Sequence, residues 1–539
     1  MTVMAPYRSP LGAGRDGFAQ LLHAEWTKFR TVRGWAIGMI VAVLLMVAFG
    51  LLTAGGTNSS CQEVGSSGPA RHGAACGPSF TLGPAGEPVT DSFYFVRQPM
   101  AGDGTITVRV TTLTGLLPPT STAGLSPNGP WDTRPGVQEW AKAGIIIKSG
   151  LTAGSPYAAM MVAAGHGVRM QWNYTGDTAG LPGAAGPANP RWLRLTRSGD
   201  VLTGYDSADR THWTQVGTVT LSGLPRVVQA GLFVASPGYT QGGQHFCIGL
   251  CFPGGGGPTQ ATAVFDHVSG SGAVGGAWTA GYVGSPEVPG VGSYHQAAGM
   301  FTVTGQGDIA PIPAGHGGAA DSALIVSEFL IGTFAGLIAL GVVAAMFITA
   351  EYRRSLIRVT FAASPRRGRV LAAKAVVVAA VSFVAGVAGA AVALLAGTAI
   401  THARGYYLYP VSGATEVKVI AGTGLLAAVA AAGALAVGAI VRRGAAAVAI
   451  VIVATAVPMF LAISRAVPLG AADWLLRVTP AAGIALQQAY PEYGQVTGYS
   501  YTPQSGYYPL PGWAGFLVLC GWTAVALGVA AYLLRRRDA

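Results

Sequence analysis

Trp35-Ala-Ile-Gly-Met-Ile-Val-Ala-Val-Leu-Leu-Met-Val-Ala-Phe-Gly-Leu-Leu52 contains no charged residue. At about 1.5 Å per helical residue, such a run crosses most of a hydrocarbon core about 30 Å thick. The pattern returns at Ala323–Ala350 (interrupted only by Glu328), Val370–Ile400, Val419–Val441, Ala445–Ile463 and Trp513–Leu534. Six transmembrane helices are therefore predicted, at 35–54, 323–350, 370–400, 419–441, 445–463 and 513–534. Pro458 falls inside the fifth, and membrane helices tolerate proline better than soluble ones do. Composition agrees: of 539 residues, 51% are hydrophobic and only 10% charged, against about 25% charged in a typical soluble domain. This composition argues against a purely soluble cytosolic enzyme.

Charge placement sets the expected orientation. Arg8, Arg15, Lys28, Arg30 and Arg33 precede the first run; Arg353, Arg354, Arg358, Arg366, Arg367, Arg369 and Lys374 follow the second. Arg442 and Arg443 follow the fourth, and Arg535–Arg537 the last. The stretch between the first two runs holds slightly more acid than base. By the positive-inside rule both termini are cytoplasmic, at a plasma membrane, and residues 55–322 lie outside. The net charge of +11 is thereby a topological signal and calls for no nucleic acid. A cleaved signal peptide is the competing reading of the first run; it fits poorly, because residues 1–34 precede the run and Thr53-Ala54-Gly55 is a weak cleavage site.

The external region reads as β. Thr105-Ile-Thr-Val-Arg-Val-Thr111 alternates polar and apolar residues, and Ala143–Ile147, Tyr157–Val162, Val168–Trp172, Trp192–Thr196 and Val228–Val234 are likewise read as strands. Turn residues separate them, as in an antiparallel sandwich. Gly/Ser/Pro-rich linkers are expected at about 55–88 and 270–320. Asp206 and Asp209 flank a hairpin and are a weak calcium candidate; solvated turn acids are the plainer reading. Trp140, Trp172, Tyr174, Trp192 and Trp213 could stack sugars or simply fill a core. No Glu-x-Asp or Glu-x-Glu pair suits glycoside hydrolysis. Cys61, Cys76, Cys247 and Cys251 are expected as two local disulfides, Cys61–Cys76 and Cys247–Cys251. Zinc held by Cys247, Cys251 and His245 or His72 is the alternative.

Gly102-Asp-Gly-Thr-Ile-Thr-Val-Arg-Val110, Ala141-Lys-Ala-Gly-Ile-Ile-Ile-Lys148, Trp192-Leu-Arg-Leu-Thr-Arg-Ser-Gly-Asp200 and Gly204-Tyr-Asp-Ser-Ala-Asp-Arg-Thr-His-Trp213 resemble the concanavalin/laminin-G-like sandwich family. The resemblance covers about residues 90–268 and implies a jelly roll of a kind that often binds glycans. Arg210 stands where that family usually has glycine.

No Gly-x-x-x-x-Gly-Lys-Ser/Thr occurs, so no phosphate-cradling loop is present in the sequence. The membrane runs hold almost no ionisable residue, with Glu328 near an interface and nothing resembling a mid-membrane proton or sodium site, which counts against ion-coupled transport. Phe18, Leu22, Trp26 and Phe29 fall on one face of an amphipathic interfacial helix within residues 1–34. Leu21-Leu-His-Ala-Glu-Trp-Thr-Lys-Phe-Arg30 and the 351–369 loop (Glu351, Tyr352, Arg353, Ile357, Arg358, Thr360, Pro365, Arg366, Arg367) resemble the permease subunit of type-two ABC exporters of actinobacteria. Asp473-Trp-Leu-Leu-Arg-Val-Thr-Pro480 matches that family's short helices before the last span, within an external re-entrant segment at 464–512. The resemblance implies a transport subunit without catalytic residues, paired with itself or a sister permease. A separate ATP-binding subunit would bind ATP and Mg, docking on 351–369; residues 535–539 would be a cytoplasmic tail. The alternative is a membrane-anchored glycan receptor, with an extracellular hydrolase a distant third.

Overall fold

The computed structural model describes residues 17–56, 80–118, 133–240, 246–248, 250–252, 256–286, 288–314, 323–353, 360, 366–404, 406–464, 467–496 and 501–536. They divide into two units: Met1–Cys76 with Leu324–Tyr490 and Gly506–Ala539, and Gly77–Ala323 with Pro491–Ser505.

The first unit is helical. A short helix α1 (Phe18–Thr31) precedes α2 (Arg33–Gly56), α3 (Thr333–Arg353), α4 (Arg367–Ala403), α5 (Gly413–Val441), α6 (Gly444–Ile463), α7 (Leu469–Val478) and α8 (Gly512–Arg536). Six of these are long and apolar enough to cross a membrane, each starting or ending close to its sequence-predicted run. The second run is not one continuous helix. A 3-10 turn at Val326–Leu330 precedes α3, and Gly332 lies against α2 so closely that an added Cβ would meet the Met46 carbonyl oxygen at 2.1 Å. Small residues likewise bring α4 onto α5: a Cβ on Gly386 would stand 3.0 Å from Gly424 Cα. Ser412 caps α5 by accepting from Thr415 N–H. Between α7 and α8, Pro480 opens a 3-10 stretch, Pro480–Gln487, whose Gln487 donates to Thr333 Oγ1 at 2.9 Å and Thr423 Oγ1 at 3.0 Å. That buried amide ties the stretch to α3 and α5.

The second unit is a large antiparallel β domain. Its strands are β1 (Thr81–Leu82), β2 (Pro88–Asp91), β3 (Phe93–Leu117), β4 (Lys142–Lys148), β5 (Tyr157–Ala163), β6 (Gly167–Trp172), β7 (Gly176–Ala179) and β8 (Arg191–Ser198). Then come β9 (Val201–Ser207), β10 (Thr214–Thr220), β11 (Val227–Ala235), β12 (Gln260–Val274), β13 (Thr279–Val283), β14 (Ser293–Ala297), β15 (Met300–Gly305) and β16 (Ile309–Pro311). The long β3 belongs to two halves of one sheet. Its first part pairs with β11 and β13, and β11 continues through β4, β5, β6 and β7. Its second part pairs with β8 and β12, which continue to β9–β10 and β15–β14. Val96, Ile145, Met160 and Leu232 from one half meet Val108, Leu195, Ala263 and Phe301 from the other in a single core.

A second core, including Phe93, Ile146, Tyr157 and Ile309, covers the opposite face of the β4–β5 region beneath the small sheet β1–β2–β16. Burial on both faces explains the unbroken Ile145-Ile146-Ile147 run. Lys142 and Lys148, at the ends of β4, are fully buried and bonded inward: Lys142 Nζ to Asp308 at 2.6 Å, Lys148 Nζ to Asp91 at 2.7 Å and to the Ser155 carbonyl at 2.8 Å. Burial lowers the Lys148 pKa despite the Asp91 carboxylate beside it.

The expected linker at 270–320 is corrected by the structure: residues 279–311 hold four strands. Their Gly and Pro density masks the alternation that a sequence reading depends on. The expected linker at 55–88 is shortened to the extent that β1 and β2 begin at Thr81 and Pro88.

Candidate functional site

The strongest polar constellation in the helical unit lies where the Arg-rich 351–369 loop leaves α3 and returns into α4. Apolar periodicity turns Phe29 of α1 inward, where its ring meets Phe347 of α3 at 5.6 Å. One turn earlier, the same face brings in Glu25, a residue only 2% exposed. Lys374, two turns into α4 and 1% exposed, donates to Glu25 Oε2 at 2.7 Å and to Glu351 Oε1 at 2.6 Å. It also stands 4.8 Å over the Phe347 ring. Lys28 closes the cluster from the more exposed side, reaching Glu25 Oε1 at 2.9 Å and Glu351 Oε1 at 3.3 Å. Two ammonium groups and two carboxylates thus balance, and they join α1, the last turn of α3 and the start of α4. Burial alone would lower the Lys28 pKa; the Glu25 and Glu351 carboxylates outweigh it and raise the value above the ordinary range.

Two further contacts fix the ends of the loop. The Arg442 guanidinium lies 5.1 Å over the Tyr352 ring. Arg442 itself ends α5 in the left-handed region, φ 59°, where a helix usually places glycine. At the other end Arg367 Nη1 donates to Leu534 O at 2.8 Å, answering one of the carbonyls that the end of α8 leaves without a helical partner. Arg353 and Arg366 are exposed and Thr360 is half-buried. Ile357, Arg358 and Pro365 lie outside the described residues. Among the described residues, each carboxylate of the cluster accepts from an ammonium group. The ends of the loop are joined to α1 and α4 by ion pairs, to α5 by the Arg442–Tyr352 contact and to α8 by the Arg367 hydrogen bond.

The expected interfacial stripe is divided. Phe29 is buried and Leu22 half-buried, whereas Phe18 and Trp26 remain 41% and 43% exposed. Glu25 and Lys374, the buried pair, were not singled out by sequence reading. The available signal was a lone lysine inside an apolar helical run, which demands a partner.

In the β domain the five candidate aromatics do not form one platform. Trp140 is buried and stacked on His166 at 3.8 Å. Trp172 packs against the main core. Tyr174 is buried, donates to Asp91 at 2.7 Å, and has its pKa pushed up by that burial. Among the described residues none of these three rings meets Trp192 or Trp213. Trp192 and Trp213 come together through arginines: Arg194 lies 3.8 Å over Trp213, and Arg210 lies 5.1 Å over Trp192.

Asp206 is buried and accepts from Leu181 N–H at 2.6 Å; desolvation raises its pKa. Asp209 instead accepts from the Thr211 and His212 amides and from His212 Nδ1 at 2.6 Å. The two carboxylates thus serve different protein donors, and no group of three metal-ligating side chains occurs among the described residues. Arg210 adopts φ 70°, the conformation that the more usual glycine would hold without strain. Cys247 and Cys251 are register partners in a hairpin formed by Phe246–Ile248 and Leu250–Phe252. Cys61, Cys76, His72 and His245 lie outside the described residues.

A family model described as "ABC-2 family transporter protein" matches residues 202–539, well over half of the chain. No curated protein matches it. Among solved structures, a functionally unknown protein from Saccharomyces cerevisiae is similar at 16% identity over 34% of this chain and 76% of its own, with a TM-score of 0.20. Scytalido-glutamic peptidase is similar at 8% identity over 40% of this chain and 98% of its own, with a TM-score of 0.24. The GH43 protein BlXynB from Bacillus licheniformis is similar at 13% identity over 24% of each chain, with a TM-score of 0.16. Likenesses this slight carry no argument about activity.

Proposed function

The chain belongs to the ABC-2 family of transporter proteins, and on that premise we propose that it is the membrane permease subunit of an ATP-driven exporter. The family implies an ATP-binding partner subunit. In the proposed arrangement that partner holds ATP and Mg, this chain performs no catalysis, and the permease works as a homodimer or beside a sister chain. Both termini and the 351–369 loop are cytoplasmic, as the arginine distribution favours, and the β domain is external. The cargo is a lipid, peptide, drug or glycopolymer.

The observation that carries this reading is the Glu25–Lys28–Glu351–Lys374 cluster, which fastens one end of the loop to two other helices. Closure of ATP-bound partner subunits would press on the loop, and the cluster would pass that displacement into α1 and α4. The test is affinity purification from native membranes, beside a charge-reversed Arg353/Arg358/Arg366 variant. Copurification of an ATP-binding subunit with the native chain, lost in the variant, supports the reading. Its absence from both, with the chain folded in the membrane, overturns it.

The second reading is a jelly-roll, lectin-like domain that senses extracellular glycan. It is favoured by the polar sheet face on which Trp192 and Trp213 are gathered. A bound glycan that changes the partner's ATPase rate would support it.

A further inference from the structure

The outward face of the β10–β9–β8–β3–β12–β15 half of the sheet has an unusual composition. Leu193, Leu195, Val108 and Phe265 point into the core, so by strand alternation the residues between them point out. Hydroxyls line that face in register across the strands. Thr218 donates to Thr203 at 3.2 Å, Thr203 pairs with Thr196, and Thr196 meets Thr105 at 3.0 Å. Farther along, Thr262 meets Thr304 at 2.9 Å. Adjacent strands are about 4.8 Å apart, so these rows extend over a length that several sugar units would span.

Cations are set among the hydroxyls. Arg194 stacks on Trp213, Trp213 Nε1 donates to the Arg210 carbonyl at 2.8 Å, and Arg210 in turn covers Trp192. Arg109 also lies over Trp192, at 5.5 Å, but its charge is answered by Asp266. Among the described residues Arg194 and Arg210 have no carboxylate partner. Stacking holds both guanidinium planes in place while leaving their donors for a ligand. Arg210 is kept there in spite of a left-handed backbone that glycine would take more readily.

We propose that this face binds an acidic polysaccharide, with carboxylate or sulfate groups on Arg194 and Arg210 and sugar hydroxyls on the threonine rows. Charge complementarity selects an anion. A protein partner would be expected to find aromatic anchors open at the centre of its interface, whereas here Trp192 is buried and both indoles are covered by guanidinium groups. The proposal deepens the glycan-sensing reading and rests on it.

The experiment uses the full-length chain in an uncharged detergent, immobilised and titrated with polygalacturonate, neutral dextran, polyglutamate and phosphatidylglycerol vesicles. Polygalacturonate should bind at least tenfold tighter than the other three, and should weaken as salt rises. Arg194→Ala and Arg210→Gly should each reduce its affinity at least fivefold. Arg210→Gly supplies the residue that the turn geometry prefers, so unfolding cannot account for its loss; Thr196→Glu, which places a repelling charge on the face, should do the same. Equal binding of dextran would overturn the anionic class and leave glycan sensing standing. Equal binding of polyglutamate or vesicles would assign the face to an acidic peptide or lipid instead. No polygalacturonate binding, or binding indifferent to Arg194→Ala and Arg210→Gly, overturns the proposal.

Discussion

Lys374→Met is the most informative single substitution in the helical unit. Lys374 lies 2.7 Å from Glu25 and 2.6 Å from Glu351, and all three groups are buried. At an effective dielectric of about 20, each contact is worth roughly 6 kcal/mol of Coulomb attraction, much of it offset by desolvation. Removing one partner from a buried pair costs about 3–5 kcal/mol, chiefly through the charge left unanswered. Lys28 still reaches both carboxylates and is 42% exposed, so the lower end of about 3 kcal/mol applies. With about 1.4 kcal/mol per factor of ten, α1 should undock more than 100-fold more often. The assay is hydrogen exchange of the Phe18–Thr31 amides in lipid nanodiscs, compared between native chain and variant. Adding Glu25→Gln should restore part of the loss, because it removes one stranded carboxylate. Exchange in Lys374→Met within about threefold of the native chain would refute the claim that this cluster holds α1.

Three other outcomes are expected. Arg442→Gly relieves a left-handed backbone at the end of α5 and should raise thermal stability by about 0.5–1 kcal/mol; it should also lower transport per ATP hydrolysed, because the contact over Tyr352 is lost. Gln487→Leu removes two buried hydrogen bonds to Thr333 and Thr423 and should cost about 0.6–1.7 kcal/mol in a detergent-unfolding measurement. His212 donates to Asp209, which raises the imidazole pKa above 6.5. The raised value means that this contact is fully present below the ordinary imidazole pKa and is lost as pH rises through the elevated one. An NMR titration should therefore find His212 above 6.5 in the native chain and near it in Asp209→Asn.

The two classes of structure were legible in the sequence to different depths. The six membrane helices were clear because uncharged runs of that length have few alternatives, and Glu328 alone hinted at the 3-10 turn that opens the second. Between 142 and 235, β4, β5, β6, β8 and β11 were legible as short apolar or alternating runs bounded by turn residues, whereas β7, β9 and β10 were not picked out as strands. Residues 279–311 were not, since Gly and Pro interrupt the period and the strands there depend on pairing with β3 and β12. At the site, Glu351 and Tyr352 could be named from motif resemblance, but Lys374 sits in a helix of mostly Ala and Val. Its role is defined by Glu25, a residue 349 positions away. Pairing at that separation leaves no periodic trace. The five aromatics show the converse: composition collected them as a set, and burial divided them, because Tyr174 and Trp140 have partners inside the domain.

In the proposed permease, force applied to the 351–369 loop enters the helices through Lys374. The direct measurement is hydrogen exchange in nanodiscs containing the permease and its ATP-binding partner, with and without vanadate-trapped nucleotide. Trapping should change protection in Phe18–Thr31 and at the start of α4 in the native chain, and in Lys374→Met the change in Phe18–Thr31 should vanish although the partner stays bound. An unchanged α1 in the native complex, or an α1 response that survives Lys374→Met, would contradict coupling through Lys374.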